Sequence, residues 1–320
     1  MSISPRVLSS AQLPYTKGSF PQRNEQIQHR CEVFSDWLLN QYWQRRDGEH
    51  TQILPKEVRT FFKQTYPDVK IKVKDNLKNS NAIGMVDAII FGTKNTISGF
   101  KFIAKSLGNS TNVHSLVNYM TLSHEHYHLA DDIINSKKSA RYSEFLTMFP
   151  QGSKKRDVLE HFYDNTLYES NSIGIDKSLP DEIRTHNIKN HIGELFEKFS
   201  SNERINILQH WRNNIGSEVG AYKEGAKTVG RILHFILEAP LLMGGKVSID
   251  KDTSINFSKI PTLKREAARK SFINEVVGNM CFDSEKDGFH AQKYQILNNM
   301  LRDEISAHRK AHAKSLKAKP

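Results

Sequence analysis

The sequence contains very little cysteine. Its 320 residues include only Cys31 and Cys281, and no C-x-x-C pair occurs. Two cysteines so far apart do not form a disulfide framework, and a thiolate metal site needs closely spaced pairs. The chain therefore fits a reducing compartment, or an export route that does not depend on disulfides.

Long apolar runs and a secretory leader are lacking as well. The most apolar stretch, residues 231–243, carries Arg, His and Glu and is too short to span a bilayer. The first 24 residues contain no acid and no apolar core of a signal peptide, so we expect residues 1–25 to form a disordered arm. The same composition suits the uncleaved export signal of a translocated bacterial effector. The expected location is a cytoplasm, either of the producing cell or of a target cell reached by secretion without a cleavable signal peptide.

Dense charge of one sign is absent from most of the chain. The formal net charge is +11, but Lys and Arg are spread out, and only residues 308–320 are densely basic. We expect residues 313–320 to form a solvated basic tail. Zinc-finger spacing, RNP-like aromatic residues and a KH loop do not occur, so nucleic acid is not the expected partner.

Hydrophobic spacing predicts a mixed first half. Apolar residues at helical intervals indicate a helix over residues 26–46, and Pro55 begins a second, shorter helix. Three strands are indicated, at residues 69–74, 81–92 and 96–106. A hairpin turn within FGTKNT (91–96) joins the last two strands.

The rest of the chain is predicted to be almost entirely helical. One long helix covers residues 113–135, and Pro150 and Gly152 then break the chain. Further helices are predicted at residues 154–165, 183–199, 202–213, 217–238, 262–280 and 289–312, with a hairpin at 244–259. The predicted fold is α+β, mostly α: an N-terminal subdomain (26–149) with a small mixed sheet, then a helical C-terminal subdomain (150–312).

The stretch SHEHYHLADD (123–132) lies in the long predicted helix and contains H-E-x-x-H. His124 and His128, four residues apart, share one face and can hold one zinc ion through their imidazole nitrogens. Glu125 lies about 100° round the helix. From there its carboxylate can take a proton from a zinc-bound water, whose pKa the metal lowers to about 7. His126 lies on another face and is interpreted as a bystander.

The surrounding pattern favours a metal site over a chance motif. Val113, Val117 and Met120 lead into the two histidines at spacings of three and four. The histidine pair is therefore expected on the inward face of the helix. The alternative is a polar helix with surface histidines.

H-E-x-x-H on a helix after a small sheet resembles the zincin metallopeptidases. The resemblance covers residues 69–135 by the order of elements, and it is specific only at residues 124–128. It implies one Zn²⁺ per chain and hydrolysis of peptide bonds in protein or peptide substrates. It also implies an edge strand above the active-site cleft, formed here by residues 96–106 or 81–92, to which a substrate adds as an extra strand.

The resemblance further implies a third protein ligand. Position 134 is Ile134, which excludes the extended form with a histidine six residues after the motif. In glutamate zincins a later helix supplies the ligand, and Glu218 is the first candidate. It heads an otherwise apolar stripe, where an unpaired carboxylate is costly to bury. The alternative is that Glu218 merely faces the positive end of its own helix.

Neighbours of Glu218 add detail to this assignment. Gly220, Ala221 and Gly225 would let the helix approach another closely, whereas Glu224 falls on a more polar face and ranks lower. The family's E-x-x-x-D variant has an aspartate where this chain has Tyr222. This departure from the pattern places a hydroxyl that can donate a hydrogen bond to a developing oxyanion, so Tyr222 is a candidate catalytic residue.

Other third ligands stay open. Asp131 and Asp132 are candidates, as in zincins that use an aspartate. Asp132 lies four residues after His128, and from the same straight helix it is better placed to accept a hydrogen bond from a ligand histidine. Histidines elsewhere also remain as ligands, although no spacing singles them out: His161, His186 and His210.

The predicted function is that of a zinc metallopeptidase acting on protein substrates, with Glu125 as general base. The alternative is a non-catalytic basic protein that binds nucleic acid or a protein partner on a zincin-like scaffold. A metal hydrolase for a non-peptide amide is a third hypothesis. No membrane span is predicted, and no residue pattern indicates an oligomeric state.

Overall fold

A computed structural model describes residues 20–45, 55–66, 71–74, 84–91, 94–103, 113–135, 137–168, 179–249, 253–281 and 284–317. Residues 1–19 of the predicted arm and residues 318–320 of the predicted tail lie outside these ranges. The described part of the arm is helical, because the first helix begins at Phe20 rather than at residue 26. The last helix likewise continues through the predicted tail to Lys317.

The elements follow one another in this order: α1 Phe20–Arg45, α2 Pro55–Thr65, β1 Ile71–Lys74, β2 Gly84–Phe91, β3 Lys94–Ile103, α3 Val113–Ile134, α4 Lys137–Met148, α5 Lys154–Phe162, a π-helix Tyr163–Tyr168, α6 Asp181–Phe196, α7 Ser201–Met243, β4 Lys246–Ser248, β5 Ser254–Asn256, a 3₁₀-helix Phe257–Lys259, α8 Thr262–Cys281 and α9 Ser284–Lys317. The described chain is thus mostly helical with little strand, which confirms the α+β, mostly α class. None of the described helices combines the length and apolarity needed to cross a membrane.

The first three strands form a small mixed sheet in the order β1-β3-β2. β1 runs parallel to β3, with Ile71 paired to Phe100, and β2 runs antiparallel to β3. The last β2–β3 pair, Phe91 with Lys94, leaves two residues for the predicted hairpin turn, and these lie outside the described ranges. β4 and β5 form the second predicted hairpin. The mixed sheet packs on α3, the helix that carries the histidine motif.

Packing divides the chain into two units that are not continuous in sequence. One consists of residues 1–136 and 220–283, and the other of residues 137–219 and 284–320. This differs from the single predicted boundary after residue 149. The reason is α7, which the sequence suggested as two helices, 202–213 and 217–238, but which runs unbroken through the boundary.

Gly216 explains why the predicted break is wrong. A Cβ at this position would lie 2.7 Å from the ring of Tyr294 on α9. The glycine therefore serves close helix packing instead of ending the helix. A glycine inside a helix costs about 1 kcal/mol relative to alanine, a cost that the packing of a long helix offsets.

The first unit has a core built from α1, α2, α3, the second half of α7, and α8. Its fully buried members include Phe34, Phe62, Leu116, Leu129 and Leu233. Of the predicted inward stripe of α3, Met120 packs partly buried against this core, and other residues of α3, among them Leu116 and Leu129, are fully buried in it. A helix held on several sides offers a rigid support for a site.

The second unit has its own core. Trp211 and Ile215 of α7 pack there with apolar residues of α6 and α9, among them Ile192 and Leu297. α4, which the polar sequence did not predict, contributes Phe145. The first half of α7, which ends shortly after Glu218, therefore packs in the core of the second unit.

Candidate metal centre

The H-E-x-x-H motif lies in the last three turns of α3. His124 and His128 are one turn apart and both half-buried, and their Nε2 atoms are 3.1 Å apart. Two ring nitrogens at this distance repel if both present lone pairs. They therefore either share a proton as a hydrogen bond or share a cation.

Glu218 of α7 completes a group of three potential metal ligands. One ligand atom each from His124, His128 and Glu218 lies within 4.8 Å of the others, and all three side chains are half-buried. The third ligand that the sequence ranked first is thus the one that the structure brings to the two histidines.

The donor set fits a zinc ion. Zinc prefers imidazole nitrogen and carboxylate oxygen, and two ligand atoms in tetrahedral coordination lie about 3.4 Å apart. The 3.1 Å between the two Nε2 atoms is close to that value. Two histidines and one glutamate leave the fourth position open, which is the arrangement of a catalytic rather than a structural zinc site.

Two glycines on α7 permit its close approach to α3, as the sequence predicted. A Cβ at Gly225 would lie 3.0 Å from Met120 Cγ and 3.2 Å from the Met120 carbonyl oxygen. A Cβ at Gly220 would overlap the ring and hydroxyl of Tyr127. A Cβ at Gly225 would therefore require Met120 to give way by a few tenths of an ångström, and one at Gly220 would require the ring of Tyr127 to move.

Hydrogen bonds between hydroxyl groups fix this packing. The Ser123 hydroxyl lies 2.8 Å from that of Thr228, and it also donates to the Glu224 carbonyl at 3.2 Å. The Thr228 hydroxyl also lies 3.2 Å from the hydroxyl of Ser35 on α1. Ser123 immediately precedes His124, so this buried network holds the start of the motif in register with α7.

Glu125, the predicted general base, is 9% exposed and follows His124 directly on α3. Burial of a carboxylate next to a potential metal ligand is a setting in which a general base can operate. Tyr222, the predicted oxyanion donor, lies beside the same histidine. Its ring meets the ring of His124 edge to face, with the centroids 4.6 Å apart.

A second tyrosine, Tyr168, reaches Glu218 and was not foreseen. Its hydroxyl donates to Glu218 Oε1 at 3.4 Å, and the side chain is 44% exposed. Tyr163 is also near Glu218. Burial raises the pKa of its phenol, and the negative charge of Glu218 raises that pKa further. Fifty residues separate Tyr168 from Glu218, and no local spacing signals this contact.

Tyr168 is the last residue of the π-helix, a form that often occurs at functional sites. Buried polar groups support this segment. Lys293 of α9 is fully buried and donates to the carbonyl of Leu167, and burial lowers its pKa to about 7. The buried ring of His290 lies 6.0 Å from that of Tyr168.

His126, which the sequence indicated as a bystander on another face, lies outside the group of three potential ligands and is a core residue. It is 1% exposed, stacks on Phe34 with ring centroids 4.2 Å apart, and shares a 2.7 Å hydrogen bond with the hydroxyl of Tyr66. Burial, and secondarily Arg30, lower its pKa to about 3. His126, the middle histidine of residues 124–128, therefore anchors α3 to α1 and to Tyr66, which directly follows α2.

The other candidate ligands do not join the group within the described chain. Asp131 is buried and accepts a 2.6 Å hydrogen bond from Asn135, while Asp132 is half-buried one position further along. Glu224 lies near Lys227 at 3.8 Å, and burial raises its pKa. The later histidines have other neighbours: Asn165 for His161, Asn190 for His186 and Phe145 for His210.

Comparisons with protein-family models, curated proteins and solved structures found no match. The similarity to zincins is thus an expectation from the sequence, and the structural observation that bears on it is the group of His124, His128 and Glu218.

Proposed function

We propose that this protein is a zinc-dependent metallopeptidase that hydrolyses peptide bonds of protein substrates. The observation that carries the proposal is the meeting of His124 and His128 with Glu218, a glutamate ninety positions further along the chain. The sequence motif alone supplies two of the ligands, and the fold supplies the third.

One zinc ion per chain is the metal that this donor set suits best. When bound, it supplies a Lewis acid that polarises a carbonyl and lowers the pKa of water to about 7. Glu125 then has the role of general base: its carboxylate takes a proton from the attacking water and passes it to the leaving amine.

Two tyrosines beside the potential ligands are candidates for the group that donates a hydrogen bond to the developing oxyanion. Tyr222 packs edge-on against the ligand His124, and Tyr168 donates to the ligand Glu218. We assign Tyr168 the larger role, because its exposed side chain can reach a bound substrate. Tyr222 mainly orients the imidazole of His124.

Substrate binding by strand addition needs an unpaired sheet edge. β3 is central in the sheet, since β1 covers it over Phe100–Ile103 and β2 covers it on the other side. β2 pairs with β3 along Gly84–Phe91, and among the described residues its second edge carries no partner strand. Of the two strands considered from the sequence, β2 is therefore the better site for an extended substrate.

A cleavage assay on a complex protein mixture tests the proposal without a known substrate. Wild type and Glu125→Gln are incubated with a cell lysate, and newly formed N-termini are labelled and identified by mass spectrometry. We expect new N-termini with wild type that disappear with Glu125→Gln and with a zinc chelator. New N-termini of equal number in both proteins, or none with zinc-loaded wild type, would contradict peptide hydrolysis by this site.

A further inference from the structure

A groove far along the chain from the motif is lined by cations. Arg212 of α7 and one face of α9, from Asn298 to Lys310, enclose about 410 Å³. Arg302, Arg309 and Lys310 lie on that face, and none of the lining residues is acidic. All of these residues belong to the second unit.

Helix geometry explains why these cations form one surface. Ser306, Arg309 and Lys310 follow Arg302 by four, seven and eight positions, so all three lie on its face of α9. At 1.5 Å per residue, Arg302 and Arg309 are about 10 Å apart along the helix axis. That spacing matches carboxylates a few residues apart on an extended peptide.

The positive charge of the groove is not neutralised within the described chain. Arg309 and Lys310 are exposed and form no ion pair with described residues. Arg302 contacts Asp303 at 3.5 Å, but both side chains are more than two-thirds exposed, and such a pair contributes little. Arg212 Nε is buried without a hydrogen-bond partner, and its guanidinium reaches Asn298 only at 3.5 Å.

The floor of the groove is aliphatic and rigid. Leu301 is 3% exposed and belongs to the core of the second unit, and the half-buried Ile305 packs against the same core. A bound segment can therefore place one apolar side chain on this floor while acidic side chains meet the cations at the rim. A partly apolar pocket with a few charged groups is the usual form of a recognition site.

The same observations weigh against nucleic acid. No aromatic side chain lines the groove, so unstacked bases find no ring to stack on. We propose that this groove binds an acidic segment of a partner protein, in which carboxylates flank an aliphatic residue. The proposal goes beyond peptide hydrolysis and does not depend on it, because the groove includes none of the three potential metal ligands.

Fluorescence anisotropy of a labelled peptide tests the proposal. The probe has six glutamates around a central leucine, and it is titrated with the full-length protein at physiological ionic strength, where the Debye length is about 8 Å. The groove variant is Arg309→Glu with Lys310→Glu. Its matched control is Lys264→Glu with Lys270→Glu, which reverses two exposed cations on α8 and changes the net charge equally.

We expect the groove variant to bind at least about ten-fold more weakly than wild type, whereas the control stays within about two-fold, because screened charges act over short range. Replacing the central leucine of the probe by serine should weaken binding several-fold. Equal weakening by both variants, or a dissociation constant above the millimolar range for wild type, would overturn the proposal. Tighter binding of a labelled single-stranded DNA of equal charge, lost in the groove variant, would assign the groove to nucleic acid instead.

Discussion

The Nε2 atoms of His124 and His128 face each other at 3.1 Å. This relationship follows from two histidines one turn apart on a helix, both turned towards α7. It gives the motif a chemical meaning only because Glu218 lies within reach of both atoms. These three side chains are the potential metal ligands, so variants at other residues of the site can test catalysis separately from metal binding.

Glu125→Gln should abolish hydrolysis and leave zinc binding intact. The amide keeps the size of the carboxylate but cannot accept a proton, and loss of a general base typically lowers the rate by about 10²–10⁴-fold. The measurement is cleavage of an identified substrate together with metal content. Loss of zinc in this variant would show instead that Glu125 is a ligand or maintains the fold.

Tyr168→Phe and Tyr222→Phe separate the roles of the two tyrosines. Removing an oxyanion donor lowers kcat by about 10²–10³-fold, and we expect that loss for Tyr168→Phe with zinc retained. Tyr222→Phe keeps the ring contact with His124 and should lower kcat much less. If Tyr222→Phe shows the larger loss of kcat, the two assignments are reversed.

Gly225→Ala should weaken both the fold and the metal centre, whereas Gly230→Ala should not. At Gly225 the added Cβ meets the Met120 backbone, while at Gly230 its nearest neighbour is 3.9 Å away. Alanine at Gly230 gains up to about 1 kcal/mol of helix propensity, and overpacking at Gly225 costs about 1–3 kcal/mol. Denaturant unfolding and zinc titration of both variants measure the difference. Equal stability would mean that α3 and α7 do not pack as closely as described.

His210 makes stability depend on pH. Burial, and secondarily Arg156, lower its pKa to about 4, from about 6.5 in the unfolded chain. Between these values the unfolded state binds the extra proton, so stability falls as the pH drops from 6.5 to 4, by roughly 1 kcal/mol per unit. His210→Phe keeps a ring beside Phe145 and should reduce the difference in stability between pH 7 and pH 5 by roughly half, because buried His126 contributes in the same direction.

The control for this measurement is His234→Gln, which changes an exposed histidine on the same helix. It should leave the pH dependence unchanged. An unaltered slope in His210→Phe would assign the acid sensitivity of the protein to other groups.

Periodicity predicted most of the elements, because the apolar stripes of helices such as α3 and α8 are strong local signals. Hydrophobic periodicity wrongly predicted a break in α7 at Gly216, where the glycine permits close helix packing. It also missed α4, because that helix is polar apart from a few residues such as Phe145. It also missed the part of residues 1–25 that belongs to α1, since a polar helix start carries little hydrophobic pattern. Such features depend on tertiary contacts that are distant in sequence.

The residues of the candidate site also fall into two groups: those that local sequence spacing relates, and those that only tertiary contacts bring together. His124, Glu125 and His128 are local, and helix geometry alone relates them. Glu218 was ranked first because it heads an apolar stripe. A carboxylate in such a position is costly to bury unless it has a partner, so the sequence itself indicates a partner or a metal. Tyr168 leaves no such signal, because its position depends on the π-helix and on the core of the second unit.

Metal content is the most direct test of the central claim. Purified wild type, Glu218→Ala and Glu224→Ala are loaded with zinc, dialysed and analysed by elemental mass spectrometry. Glu224 is the matched control, a half-buried glutamate on the same helix outside the group of three. We predict about one zinc ion per chain in wild type and Glu224→Ala, with sharp loss in Glu218→Ala. Zinc retained in Glu218→Ala, or absent from the loaded wild type, would contradict a centre formed by His124, His128 and Glu218.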